Sequence, residues 1–195
     1  MIKNILKPFI EKFPAIAYTY RIFRDKRMFE SSKSQNTPFG FKFVGNDQMM
    51  RGLYQREETE VMLSYLNMSN VFIDIGANIG FYTCLALSKK IYTIAFEPLE
   101  QNLLYLFRNL EDNGYNATEI HPIALSDKPG IATMYGGSTG ASLIEGWASP
   151  SALLRRAVPW HGRTLPGWRA RRVADAGGGA ALLDRGVCVS RRHCL

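Results

Sequence analysis

From Val71 onward short apolar runs alternate with stretches of helical period, which restricts the chain to a small set of folds. Val71–Ile75, 91–96 and 118–123 read as strands. Between them, 79–88 reads as a helix with Ile79, Tyr82, Thr83, Ala86 and Leu87 on one face. A second helix over 99–113 turns Leu103, Leu106, Phe107 and Leu110 inward and stops at Gly114. Strands that alternate with helices of this length form right-handed βαβ units on a parallel sheet. The predicted fold is therefore α/β, a partial doubly wound parallel sheet of Rossmann-like form. Asp127-Lys128-Pro129-Gly130 reads as a turn into a further strand over 131–135.

Upstream, Arg56–Leu66 is an amphipathic helix with Val61, Leu63 and Leu66 inward, and 39–44 alternates as a short strand. Residues 30–38, rich in serine and closed by Pro38, read as a linker. Residues 2–25 carry an apolar stripe of helical period interrupted by Pro8 and Pro14, so two short helices or one kinked helix are expected. Packing against the domain is the expected role of this extension; lying on a membrane surface is the alternative for a basic amphipathic stretch.

In parallel sheets ligands bind beyond the carboxyl ends of the strands. Asp74-Ile75-Gly76-Ala77-Asn78-Ile79-Gly80 occupies that place after the first strand. Gly76 allows a tight turn and close approach of backbone to ligand, and Gly80 lets the helix pack near the strand. Free N–H groups at the helix start favour a carboxylate or phosphate. The next strand ends at Glu97-Pro98, and a carboxylate there can accept from both hydroxyls of a ribose. A dinucleotide fingerprint beginning at Gly76 needs glycine at 78 and 81, where Asn78 and Phe81 stand, so a nicotinamide cofactor is disfavoured. Acid-x-Gly-x-x-x-Gly suits a cofactor with a carboxylate and no phosphate.

These residues resemble the FkbM-type methyltransferases, class I enzymes dependent on S-adenosyl-L-methionine. The matching stretches are FGFKF at 39–43, VFIDIGANIGFYT at 71–83, FEP at 96–98, LLYLFRNLEDNG at 103–114, IALSDKPG at 123–130 and GGSTGASL at 136–143. The resemblance implies that Asp74, Gly76, Asn78 and Gly80 line the methionine part of the cofactor, with Ala77 in the same loop. It implies that Glu97 binds the ribose and that Ala124, Leu125 and Ser126 lie near the adenine. It also implies O-methylation of a small molecule or a sugar. The family continues into a fourth strand with an Asp-Val-Glu-Gly motif, and nothing after Trp147 matches it. The chain is thus expected to hold the N-terminal half of the enzyme, with the first strand's other edge unpaired. No general base is assigned, and a non-catalytic fragment that binds cofactor weakly or not at all is the alternative.

The match stops where composition breaks. Residues 148–195 contain no Lys, Ile, Phe, Tyr, Asn, Gln, Glu or Met, and Ala, Arg, Gly and Pro fill 26 of the 48 positions. The first 147 residues balance 15 Lys+Arg against 15 Asp+Glu, so the net charge of +7 belongs to the tail alone. No apolar period is sustained there, and an irregular tail is expected, either out-of-frame coding sequence or a disordered basic segment. The expected domains are 1–37, an extension and linker; 38–147, half of a methyltransferase domain; and 148–195, the tail. The arginine pairs 155–156, 171–172 and 191–192 could touch phosphates, but without a fold to present them no specific nucleic acid is expected. Cys188, His193 and Cys194 lack the paired spacing of a zinc site, so no metal is expected.

No apolar run approaches the roughly 18–20 residues that cross a bilayer, and the N-terminus lacks the uninterrupted apolar region of a secretory signal. Three cysteines make no disulfide framework, so a cytoplasmic protein is expected. His121 is expected to be a buried structural histidine rather than a base. GGSTG at 136–140 lacks the Lys and helix of a P-loop and is expected to be a loop beside the active site.

Overall fold

The computed structural model describes residues 14–116, 118–126, 129–135, 150–159, 180–183 and 187–191. The chain divides into two units, 1–33 and 34–195. In the first, α1 (Pro14–Ser31) begins at a proline, whose fixed φ and missing N–H suit a first helical position. The expected kink at Pro8 lies outside the described residues.

The second unit opens with a two-residue antiparallel pair, β1 (Gln35–Asn36) and β2 (Lys42–Phe43), which is all that forms of the strand expected over 39–44. Two short helices follow, α2 (Asp47–Met50) and α3 (Arg56–Leu66). The Asn46 side chain starts α2 by accepting from the N–H groups of Gln48 and Met49. On α3 it is Thr59, Met62 and Leu66 that are buried, while Val61 and Leu63 are half-buried.

Then comes the alternation that positions the site: β3 (Val71–Ile75), α4 (Phe81–Ser88), β4 (Tyr92–Phe96), α5 (Glu100–Glu111) and β5 (Thr118–His121). β3 pairs parallel with β4 in register Ile75 to Phe96, and β4 pairs parallel with β5 in register Phe96 to His121. The protein is mixed α/β with these three strands parallel. α4 starts two residues later than its pattern suggests, because Asn78 and Gly80 both take left-handed backbone (φ 58° and 88°) that no helix continues. On α5, Leu106 and Leu110 are buried as expected, but Phe107 is 49% exposed. Asn109 is fully buried instead: its Nδ2 donates to the carbonyls of Val44 (3.1 Å) and Ile79 (2.8 Å), and its Oδ1 accepts from Val44 N (2.7 Å). A polar side chain enters a core when each of its groups is matched in this way.

Two expectations about the tail fail. β10 (Val187–Arg191) lies parallel along the free side of β3, and β9 (Ala180–Leu183) pairs antiparallel with β10, giving the order β5-β4-β3-β10-β9. β8 (Pro150–Pro159) stands between β6 (Ala124–Ser126), parallel to it, and β7 (Gly130–Tyr135), antiparallel to it. The tail is therefore not irregular throughout, and β3 has no unpaired edge. A row of open N–H and C=O groups on a central strand is costly, and the backbone of β10 takes up those of β3.

The main core of the second unit gathers around Phe81. Its ring meets Phe39, Phe41, Phe43, Tyr54 and Tyr82 edge-on, at centroid distances of 5.8, 5.9, 5.6, 6.0 and 5.4 Å. Each such pair contributes about 0.5–1.5 kcal/mol beyond area burial. FGFKF is thereby fastened to the residue that follows Gly80.

Candidate functional site

The loop leaving β3 is wired to the exit of β4 by backbone groups. The N–H groups of Gly76 and Ala77 both donate to the carbonyl of Phe96, at 2.9 and 3.0 Å. Gly76 manages this turn at φ 77°. Asn78 N–H donates to Glu97 Oε2 at 2.7 Å, Ile79 N–H to Asn78 Oδ1 at 2.8 Å, and Gly80 N–H to the carbonyl of Ala77 at 2.9 Å. All five amides from 76 to 80 therefore have acceptors within the protein. The left-handed turns fold the loop's amides back onto its own neighbours, whereas the free N–H groups expected at the helix start belong to α4, which begins one residue further on.

Gly80 is required by space as well as by φ. A Cβ there would stand 2.3 Å from Leu106 Cδ1 on α5. The glycine is what lets α4 and α5 approach at the mouth of the loop.

Glu97 is 4% exposed. Besides Asn78, it accepts at Oε1 from Leu99 N–H (2.9 Å) and Asn102 Nδ2 (3.1 Å), while its own N–H donates to the His121 carbonyl (3.1 Å). Burial pushes its carboxyl above the ordinary value, and these donors pull the other way. A carboxylate has about four acceptor sites, so three protein donors leave one on Oε2. That is room for a single ligand hydroxyl rather than the two expected.

Asp74 is 1% exposed and accepts at Oδ2 from the hydroxyl of Thr83 on α4, at 2.7 Å. It sits near Cys84, whose thiol is pushed far above its usual range by burial and, secondarily, by this carboxylate. Cys84 is therefore an inert core residue. The structure brings Asp74, Gly76, Ala77, Asn78, Gly80 and Glu97 to the carboxyl ends of β3 and β4.

Ala124, Leu125 and Ser126 form β6 in the other sheet, joined to this end through Ile123 N–H, which donates to the His121 carbonyl at 2.8 Å. Ala124 and Leu125 are buried and Ser126 is half-buried. The GGSTG segment lies outside the described residues. His121 is not the buried residue expected: its side chain is 41% exposed, stacked on Phe96 at 4.9 Å, with Nε2 3.5 Å from Glu119. Among the described residues it stands on the edge strand of its sheet.

Thr83, Asn102 and Asn109 hold the site and were not picked out as site residues in the sequence. Asn102 stands five positions after Glu97, in the first turn of the next helix. That spacing is the only sequence signal that it could reach back.

No family model matches the chain, and no curated protein matches it. Among solved structures, it is similar to a crystal structure of P. horikoshii TYW2 in complex with MeSAdo, with 14% identity and a TM-score of 0.38. The alignment covers 48% of this chain and 36% of that one. The chain thus spans little more than a third of that protein's length, and a likeness at this level identifies neither family nor activity. Among the described residues no cluster of His, Cys, Asp and Glu could hold a metal, and no helix is long and apolar enough to cross a membrane.

Proposed function

We propose that residues 38–147 are the N-terminal part of an S-adenosyl-L-methionine-dependent methyltransferase of the FkbM type, acting on oxygen of a small molecule or sugar. The observation that carries this reading is Glu97, a buried carboxylate at the carboxyl end of β4, tied by its own oxygen to the glycine loop that leaves β3. The residues fit such a cofactor: Glu97 Oε2 retains an acceptor site for a ribose hydroxyl, and Gly76 turns the loop at φ 77° with no side chain in the way. Asp74 is held by Thr83 at the head of the loop, and Ala124–Ser126 would flank the base. When bound, the cofactor supplies a methyl group on a positively charged sulfur.

This chain's part is to hold and orient, and positioning supplies much of the rate in an in-line displacement. A hydroxyl acceptor also needs its proton taken up, and no residue of 38–147 is assigned that role.

The second reading, a fragment of such an enzyme without catalysis, is favoured by the closed loop. The amides of 76–80 are engaged and Glu97 is covered, so binding would require both to open. On this reading residues 148–195 are foreign coding sequence, which reading the parent gene in its other frames would test.

Calorimetric titration with S-adenosylhomocysteine separates the two. Micromolar binding supports an intact cofactor site. No binding, with a broad unfolding transition, supports the fragment.

A further inference from the structure

The N-terminal unit carries a charge that the site leaves unused. Residues 1–33 hold 8 Lys+Arg against 3 Asp+Glu, whereas 34–147 hold 7 against 12. Within α1, Tyr20, Phe23, Arg24, Arg27 and Met28 recur at i, i+3, i+4, i+7 and i+8, which places them on one face of a helix. Tyr20, Phe23 and Met28 are 48%, 67% and 57% exposed. Of the acids of the helix, Asp25 lies beside this stripe and Glu30, seven residues after Phe23, lies at its edge. They pair with Arg24 (2.6 Å) and Lys26 (4.0 Å), which leaves Arg27 as the cation of the stripe with no acid paired to it in these bridges.

Charge and apolarity together decide what such a stripe suits. A duplex nucleic acid, whose bases are stacked away, would be served by the arginines but gains nothing from Phe23 and Met28. An apolar protein groove would be served by Phe23 and Met28, while two arginines in the same stripe would be buried at a cost. An anionic lipid surface takes both, since aromatic rings settle at the headgroup level and arginines reach outward to the phosphates. We propose that the Tyr20–Phe23–Met28 face of α1 docks on an anionic lipid surface, lying along it rather than crossing it.

The test is co-sedimentation of the full chain with vesicles of phosphatidylcholine alone and of phosphatidylcholine mixed with phosphatidylserine. The expected result is sedimentation that depends on phosphatidylserine and falls as salt rises. It should weaken about tenfold or more in the triple variant Tyr20→Ser, Phe23→Ser, Met28→Ser, with an unchanged far-ultraviolet spectrum. A second variant, Arg24→Gln with Arg27→Gln, should lose the preference for phosphatidylserine while keeping the apolar contacts. Equal binding by the triple variant overturns the proposal and assigns binding to the arginines of 148–195. Binding to neither vesicle, equal binding to both, or binding only to a nucleic acid also overturns it.

Discussion

Asn78 and Glu97 stand at the exits of two neighbouring parallel strands, and the backbone N–H of the first donates to the carboxylate of the second at 2.7 Å. The bond crosses from the glycine loop to the next strand and is buried, so it ties the two strand exits together. Removing its acceptor strands the Asn78 and Leu99 amides together with Asn102 Nδ2. Glu97→Ala is expected to destabilise the fold by about 2–4 kcal/mol, read as a lower urea midpoint with an unchanged slope. Glu97→Gln, which keeps the shape, should cost less in stability yet abolish any binding of S-adenosylhomocysteine.

The same carboxyl makes stability depend on pH. Its value in the folded state is raised above the ordinary 4.5, chiefly by burial. The folded protein therefore holds this proton more tightly than the unfolded chain, and the contribution is fully present below the unfolded value. It is lost as pH rises through the folded value. The difference in stability between wild type and Glu97→Gln should accordingly shift against wild type as pH climbs through the weakly acidic range. A flat difference between pH 4 and pH 8 would refute this assignment.

Gly80→Ala forces a side chain onto a left-handed residue 2.3 Å from Leu106 Cδ1. A loss of about 1–3 kcal/mol is expected. Leu106→Ala alone should cost about 2–5 kcal/mol by opening a cavity. The double variant should lose less than the two single losses combined, because the shortened side chain makes room for the new methyl group. Strict additivity would show that the backbone conformation alone excludes other residues at position 80.

Asn109→Leu removes three matched hydrogen bonds at once and leaves the Val44 amide with no acceptor. About 2–4 kcal/mol of destabilisation is expected. Amide exchange should quicken at Val44, while β3 and β4, which depend on their own ladder, should change less. Equal acceleration everywhere would mean that Asn109 supports the whole fold rather than this junction.

Much of this architecture was legible in particular residues. Arg56–Leu66 and Val71–Ile75 form with the limits their patterns indicate. The placement of Glu97 beside the loop followed from strand order alone. Hydrogen bonds by which polar side chains enter the core were not legible: Phe107 and Asn109 are two positions apart, and hydropathy assigns them the opposite of their observed burial. Three tertiary acceptors and donors around one amide decide that case. The inward turn of the loop amides was not legible for a related reason, since positive φ at 76, 78 and 80 redirects them. β10 was not legible in the sequence because its pairing is a property of β3's open edge and leaves little trace in residues 187–191 themselves.

That pairing bears on when the protein can form. β3, β4 and β5 are linked by nearby helices and can assemble as soon as they leave the ribosome. Val71, however, finds its second neighbour only in Val187, and such distant closure slows folding. During synthesis the central strand must wait with one flank bare until residues 187–191 have been made, and chaperones would meet it in that interval.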